Sequence, residues 1–451
     1  MKIIIIGCGK VGAALAEQLD HEGHDIIVID SKPAVIHKIT DTLDVMGIVG
    51  NGASYHVLLE AGIEETDILI SVTNSDELNM LCCLVAKKAG KCHTIARIRD
   101  PRYNEEIDFI KEEMGISMII NPELESAAEM GRLIHLPSAI KIETFAKGRV
   151  ELLKCQIPEN SILNNMQIKN ISAKTHCKVL VCAVERGDDV FIPSGDFMLK
   201  ALDKISLIAP QKNAPEFFNK IGLPPSHIKD ILIVGGGMIA SYIGRHFAGT
   251  GVKVRIIEQN RERCEELSVL LPDSLIIHAN GSDHNVLIEE GLDTADAFAS
   301  LTNLDEENIL LSLYAQKKCK GKIFTKITRL TFDDIIREMN LGVILNPKLI
   351  TADRIIQYVR AKQNSLGSNV ETLYKLVGNK VEAVEFRVKN NAFYIGIPLA
   401  QLNTRDDTLV GCINRKGKII IPNGQDSIQL GDTVIIVTTS FALDDLSEIF
   451  E

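Results

Sequence analysis

Two glycine clusters carry the spacing with the most chemical content. Gly7-Cys8-Gly9-Lys10-Val11-Gly12 is a GxGxxG run between the apolar stretch MKIIII and an amphipathic one. In such a run the first glycine permits a tight strand-to-helix turn. The second lets a pyrophosphate approach the backbone, and the third lets helix pack on sheet. The helix that follows offers unpaired N–H groups and a partial positive charge. Asp30 ends the next apolar run, DIIVID. A carboxylate there can accept hydrogen bonds from both ribose hydroxyls of an adenosine and would repel a 2′-phosphate, so NAD is favoured over NADP. Gly235-Gly236-Gly237-Met238-Ile239-Ala240 repeats the pattern with Ala in third place, and Glu258 stands for Asp30. A filled second site and a purely structural one are equally compatible with that copy.

Further polar residues fall at strand ends. Asn51-Gly52 and Asn280-Gly281 follow the third strand of each copy, where an adenine ring would lie; a plain Asn-Gly turn is the alternative. Thr73-Asn74 and Thr302-Asn303 end the fourth strand. Arg97 and Arg99 end the fifth, with Lys326 in the place of Arg97. A cation there can meet a phosphate, or it can be a solvated strand end paired to an acid.

Hydride transfer needs a proton donor or acceptor beside the nicotinamide. None of the eleven His is matched between copies: His56 faces Asn285, and His284 faces Tyr55. No Cys is placed against a His, and no metal-ligand spacing occurs. Cys82-Cys83 lies on a helical pattern that reads as core. Nucleotide sites without a visible catalyst point to sensing.

The elements that hold these residues recur. IIIIGCGKVG at 3–12 returns as ILIVGGGMIA at 231–240, an offset of 228. GNGAS returns as ANGSD, TDILISVTNSDELN as TADAFASLTNLDEEN, and Ile120-Asn121-Pro122 as Leu345-Asn346-Pro347. The period is far longer than that of a solenoid, so a whole domain pair is duplicated. In each copy short apolar strands alternate with amphipathic helices, as in a doubly wound parallel sheet; shorter strands split by turns follow. The fold class is α/β: two Rossmann-like parallel-sheet domains, each followed by a small α+β domain. The expected boundaries are 1–136, 137–212, 230–362 and 363–451, with an irregular linker at 213–229. The stretch 211–230 contains three Pro and one short helical pattern near Glu216 to Ile221.

The chain has 451 residues, 45% apolar and 24% charged, which is a globular balance. Its net charge of −11 argues against binding nucleic acid by phosphate attraction. The longest uncharged stretch, Asn390 to Thr404, has 15 residues and contains a Pro, too short for a span of roughly 20. The N-terminal apolar run goes straight into the glycine turn and does not read as a secretion signal. Ten Cys without CxxC spacing read as buried residues of a reducing cytosol.

The tandem order, MKIIIIGCGKVG, GNGAS, TNSDELNM, IARIR at 95–99 and IPNGQDSIQLGDTVIIV together resemble the tandem-RCK (TrkA) family of regulatory subunits of bacterial Trk potassium uptake systems. The resemblance covers essentially the whole chain. It implies a cytoplasmic protein, not an enzyme, that binds NAD(H), with ATP and ADP as further ligands. It also implies a homo-oligomer, a tetramer, peripheral on the cytoplasmic face of the inner membrane beneath an integral potassium-translocating subunit of the TrkH or TrkG type. The carried-over site residues are Gly7 to Val11, Asp30, Thr73, Asn74 and Arg97, and Gly235 to Ile239 and Glu258. The alternatives are an NAD-dependent dehydrogenase with duplicated cofactor domains, and a nucleotide or redox sensor serving another transporter.

Overall fold

The computed structural model describes the chain except residues 146–149, 188, 211–212, 224–227, 330–335, 337–338, 340, 366–369, 377–379, 390–391, 406, 440–442, 444 and 451. Four sheets follow one another. The first contains β1 (Lys2–Ile6), β2 (Asp25–Asp30), β3 (Met46–Val49), β4 (Ile68–Ser71), β5 (His93–Arg97) and β6 (Met118–Ile120), in the order β3-β2-β1-β4-β5-β6 and all parallel. The second contains β7 (Lys141–Phe145), β8 (Val150–Gln156), β9 (Leu180–Arg186), β10 (Asp189–Phe191) and β11 (Lys204–Pro210), paired antiparallel. The third repeats the first as β12 (Asp230–Val234), β13 (Lys253–Glu258), β14 (Leu275–His278), β15 (Ala297–Ser300), β16 (Lys322–Lys326) and β17 (Val343–Leu345). The fourth is antiparallel: β18 (Val370–Leu376), β19 (Val381–Arg387), β20 (Thr408–Arg415), β21 (Lys418–Ile420) and β22 (Thr433–Thr438).

The two parallel sheets, Met1–Gly131 and Lys229–Val359, form one compact unit. The run Ile3 to Ile6 does not alternate because both faces of β1 are covered; all four side chains are buried. One of its covers comes from the other copy. In the helix Pro347–Ser365, Ala352, Ile355, Ile356 and Val359 fall at i, i+3, i+4 and i+7. That stripe enters the core of the first sheet beside Val11, Leu15 and Leu19. The helix Pro122–His135 meets the second copy in return. Asn121 Nδ2 donates to Tyr242 Oη at 3.0 Å, and Gly131 sits so near the His246 ring that a Cβ would lie 3.0 Å from Nε2. Glu125 and Arg354 pair at 3.1 Å between the two helices.

The small sheets, Arg132–Ile228 and Arg360–Glu451, form the other unit. Val150, Leu152, Cys182 and Ile208 of the first pack with Val381, Cys412, Ile435 and Val437 of the second in one core. Between the halves of the chain, residues 224–227 of the expected linker, and 211–212 just before it, lie outside the described residues. The short helix expected near Glu216 to Ile221 is present. The helix Ala214–Lys220 buries Phe217 and Phe218, and Ser161 Oγ donates to the Ile221 carbonyl at 2.7 Å. All ten Cys are unpaired and buried. No helix among the described residues is long and apolar enough to cross a membrane.

Candidate nucleotide sites

β1 and β4 are neighbours, whereas β2 continues the sheet on the far side of β1. The order in which strands are added reverses there, and a ligand crevice opens beyond the carboxyl ends of the strands. Gly7 turns the chain out of β1 with φ +90°; a Cβ would come within 2.9 Å of the Thr73 backbone. Around a Cβ built on Gly9 there is nothing within 4 Å, so the backbone is open where a pyrophosphate would approach. Gly12 lets the helix Lys10–His21 start against the turn, since a Cβ would lie 2.0 Å from the Gly7 oxygen. The first amides of that helix have no intrahelical acceptor.

Asp30 ties the turn to β2. Its Oδ2 accepts the Cys8 N–H at 2.9 Å and its Oδ1 accepts the Lys32 N–H at 2.9 Å. Each carboxylate oxygen has a second lone pair, so the group can still receive ribose hydroxyls. Cys8 is not a nucleophile: burial, and then the Asp30 charge, push its thiol up to about 12. Asn51 Oδ1 accepts the Ala53 N–H at 3.0 Å, closing an Asx turn, and Gly52 is held against Ile6 Cγ2, which a Cβ would approach to 2.3 Å.

The Thr73 hydroxyl turns inward and donates to Asn79 Oδ1 at 2.7 Å. Asn79, fully buried, also accepts the Thr73 N–H at 2.8 Å and donates to the Arg97 carbonyl at 2.8 Å, joining the ends of β4 and β5. Arg97 is not a solvated strand end. The residue is 8% exposed, and its guanidinium donates to the Thr73 carbonyl at 2.6 Å. Burial lowers its pKa, as does the neighbouring Arg99, while Glu123 and Asp76 oppose the shift.

Asn74, Asp76, Arg99, Asp100, Glu123 and Met238 line a cleft of about 500 Å³ at this mouth, with Met238 coming from the second copy. Asp76 Oδ1, Arg97 Nε, Arg99 Nε and Glu123 Oε2 are buried without a hydrogen-bond partner among the described residues, although Asp76 Oδ1 and Arg99 Nε lie 3.8 Å apart as an ion pair. Asp76 Oδ2 accepts the N–H groups of Arg99 and Asp100, both at 2.8 Å. The roles of Asp76, Asn79 and Glu123 did not emerge from the sequence. The first two could have been flagged by their repeat partners, Asp305 and Asn308; nothing in the sequence aims Glu123 at the cleft.

The second copy reproduces the frame. Gly235 has φ +102°, and a Cβ built on Gly237 meets nothing within 4 Å. The longer Glu258 makes the same ties as Asp30, accepting from Gly236 N–H at 2.8 Å and Asn260 N–H at 2.7 Å. Ile239 and Ala240 are buried in the following helix. Asn280 Oδ1 accepts the Ser282 N–H at 3.0 Å, and Gly281 abuts Val234 Cγ1, which a Cβ would approach to 2.3 Å. Thr302 Oγ1 donates to Asn308 Oδ1 at 2.9 Å, and Lys326 Nζ donates to Asn303 Oδ1 at 3.3 Å. One cation is new. Arg263, where the first copy has Val35, donates to the Gly236 carbonyl and to Ser241 Oγ, both at 2.9 Å.

The TrkA-N domain model matches residues 3–122 and 231–347, and the TrkA-C domain model matches 155–222 and 383–451. The chain belongs to the TrkA family. It is 30% identical over 450 residues to the Trk system potassium uptake protein TrkA homolog of Archaeoglobus fulgidus, covering 100% of both chains. It is 29% identical over 441 residues to the Trk system potassium uptake protein TrkA of Halomonas elongata, covering 97% of this chain and 95% of that one. Among solved structures, the GsuK RCK domain superposes with a TM-score of 0.63 at 15% identity, covering 97% of this chain and 92% of that one. The GsuK channel bound to NAD gives 0.62 at 15% identity, covering 97% and 77%. These two similarities are of fold.

Proposed function

We propose that the chain is a cytoplasmic, nucleotide-binding regulatory subunit of a potassium uptake transporter, and that NAD(H) or another adenine nucleotide at its glycine turns switches its shape. The observation that carries this reading is the acid-tied glycine turn, present twice: Asp30 on the Cys8 amide and Glu258 on the Gly236 amide. Full-length similarity to proteins named for Trk potassium uptake supports the transport role, and the NAD-bound channel of similar fold supports the ligand class.

In this reading the residues bind and position; none transfers a proton. Gly7 and Gly9 give the pyrophosphate access, the helix N-terminus holds its charge, and Asp30 takes the ribose. The adenine lies toward Asn51-Gly52, and Arg97 and Asn74 face the distal half. A bound nucleotide favours the conformation that it fits better, by no more than its difference in affinity for the two. The exchanged helix Pro347–Ser365, packed on the helix that leaves the first turn, is a route by which that preference reaches the second copy. A tetramer docked under a membrane partner of the TrkH or TrkG type completes the proposal.

The test is potassium uptake in cells that lack their own regulatory subunit but make a membrane partner. The wild-type chain should restore nucleotide-dependent uptake and Asp30→Ala should not. Equal uptake with both would contradict the proposal. Oxidation of NADH by the purified protein with a panel of keto acids would instead favour a dehydrogenase.

A further inference from the structure

The dipeptide Asn-Gly follows the third strand in both copies, as Asn51-Gly52 and Asn280-Gly281. Before glycine, an asparagine side chain can react with its own backbone, because glycine has no Cβ to shield the nitrogen that attacks. The reaction needs a side chain in water, a glycine N–H free of other bonds, and a donor that steadies the oxygen of the attacked amide. Both loops meet these needs. Asn51 and Asn280 are exposed. Among the described residues the amides of Gly52 and Gly281 donate no hydrogen bond. Asn51 Oδ1 takes the Ala53 N–H at 3.0 Å, and Asn280 Oδ1 takes the Ser282 N–H at 3.0 Å. Such a turn folds the side chain back over the glycine nitrogen. Its donor lies at the distance from which an amide stabilises a developing oxyanion.

On the nucleotide-binding reading above, we infer that Asn51 and Asn280 are deamidation sites, at which the protein's own backbone inactivates its nucleotide pockets with age. Hydroxide takes the Gly52 amide proton, and the nitrogen attacks Asn51 Cγ. The new C–N bond closes a succinimide ring. The Cγ–Nδ2 bond breaks, and ammonia leaves with a proton from water. Water then opens the ring. Opening at Cγ leaves Asp; opening at the Asn51 main-chain carbonyl leaves isoaspartate, with the chain routed through the side chain and lengthened by a carbon. The net change is amide plus water to acid plus ammonia, and water is the only co-reactant.

Either product harms the pocket. Gly52 stands so close to β1 that a Cβ would come within 2.3 Å of Ile6 Cγ2, and Gly281 stands in the same way against Val234 Cγ1. A lengthened backbone cannot keep those contacts. Asp adds a negative charge to a loop that the Gly50 N–H ties to the Asp30 carbonyl at 3.0 Å, where a nucleotide would bring its own phosphates.

The test is ageing of the full-length protein at pH 8 in heavy-oxygen water, with and without saturating NADH, followed by peptide mapping. Asn423-Gly424, in the small domain of the second copy, makes the same turn, with the Gln425 N–H on Asn423 Oδ1 at 2.9 Å, and is the internal reference. Labelled acid should appear at Asn51 and Asn280 within about tenfold of its rate in a synthetic GNGAS peptide. NADH should slow Asn51 at least threefold and leave Asn423 unchanged. The NADH capacity lost should track the conversion at Asn51. Asn51→Gln, whose side chain would have to close a larger ring, should hold its starting affinity throughout. Conversion at Asn51 and Asn280 more than a hundredfold slower than in the peptide would overturn the inference. So would full NADH binding after Asn51 has converted, or a loss in Asn51→Gln equal to that of wild type. Wild-type protein that converts at Asn51 but binds no NADH at the outset would overturn the nucleotide reading and leave Asn51 a deamidation site.

Discussion

Asp30 Oδ2 lies 2.9 Å from the Cys8 amide nitrogen, so the carboxylate that would grip a ribose also fixes the turn that would receive the pyrophosphate. Removing it should harm the site twice. Asp30→Ala should weaken NADH binding at least tenfold, from the loss of a charged hydrogen-bond acceptor worth about 1.5–3 kcal/mol. Fluorescence titration of NADH checks this, and affinity within twofold of wild type would rule out Asp30 as the ribose acceptor.

Asn79 is the clamp between β4 and β5. Asn79→Ala leaves the buried Thr73 N–H and Arg97 carbonyl without partners and should destabilise the folded protein by about 2–4 kcal/mol. Asn308→Ala, which frees the Thr302 N–H and the Lys326 carbonyl, should do the same in the second copy. Urea denaturation measures both; a change below about 0.5 kcal/mol, the range of an ordinary surface substitution, would show that the clamp is dispensable.

The exchanged helix makes a prediction that concerns position as well as size. Ile355 is fully buried in the core of the first sheet although it belongs to the second copy. Ile355→Ala should cost about 2–5 kcal/mol. The faster hydrogen exchange should appear in β1 and the helix Lys10–His21, more than 300 residues away in sequence. Faster exchange confined to the second sheet would contradict the packing.

The third position of the two turns should respond differently to one methyl group. Gly12→Ala puts a Cβ 2.0 Å from the Gly7 oxygen and should lower both stability and NADH affinity. The second turn already seats Ala240 in a buried position, so Ala240→Gly should leave the turn intact and change stability by about 1 kcal/mol or less. Equal behaviour of the two variants would mean that the turns are equivalent.

Lys322, at the start of β16, has its pKa pushed down to about 7 by burial. In the unfolded chain it would titrate near its ordinary value, ~10.4. Between those limits the unfolded state holds the extra proton, so stability from this group rises with pH from about 7 to about 10 and is lowest, and flat, below. Lys322→Met should raise the melting temperature most at pH 6 and progressively less toward pH 9. Parallel melting profiles of variant and wild type would show that the group is not titrating in that window.

The strands, the glycine turns and the acids behind them were legible because each depends on residues close in the chain: a continuous apolar run for a strand covered on both faces, a glycine where φ is positive, an acid at the next strand end. The duplication doubled every such signal. What depended on distant partners was not legible. The apolar stripe of Pro347–Ser365 announces a buried face but not that the face belongs to the other copy's sheet. Arg97 reads as a cation at a strand end, and its burial follows only from Asn79 and Thr73 closing over it. Glu123 is an unremarkable acid in sequence; it acquires meaning from Met238 of the second copy, which lines the same cleft. The short helix of Phe217 and Phe218 was legible, but not that both rings are buried.

The most direct measurement is the heat of NADH binding to the purified full-length protein, compared with Asp30→Ala. The account predicts saturable binding to wild type that weakens at least tenfold in the variant, whose melting temperature without ligand stays within a few degrees. No heat with wild-type protein, or identical isotherms for the two proteins, would contradict it.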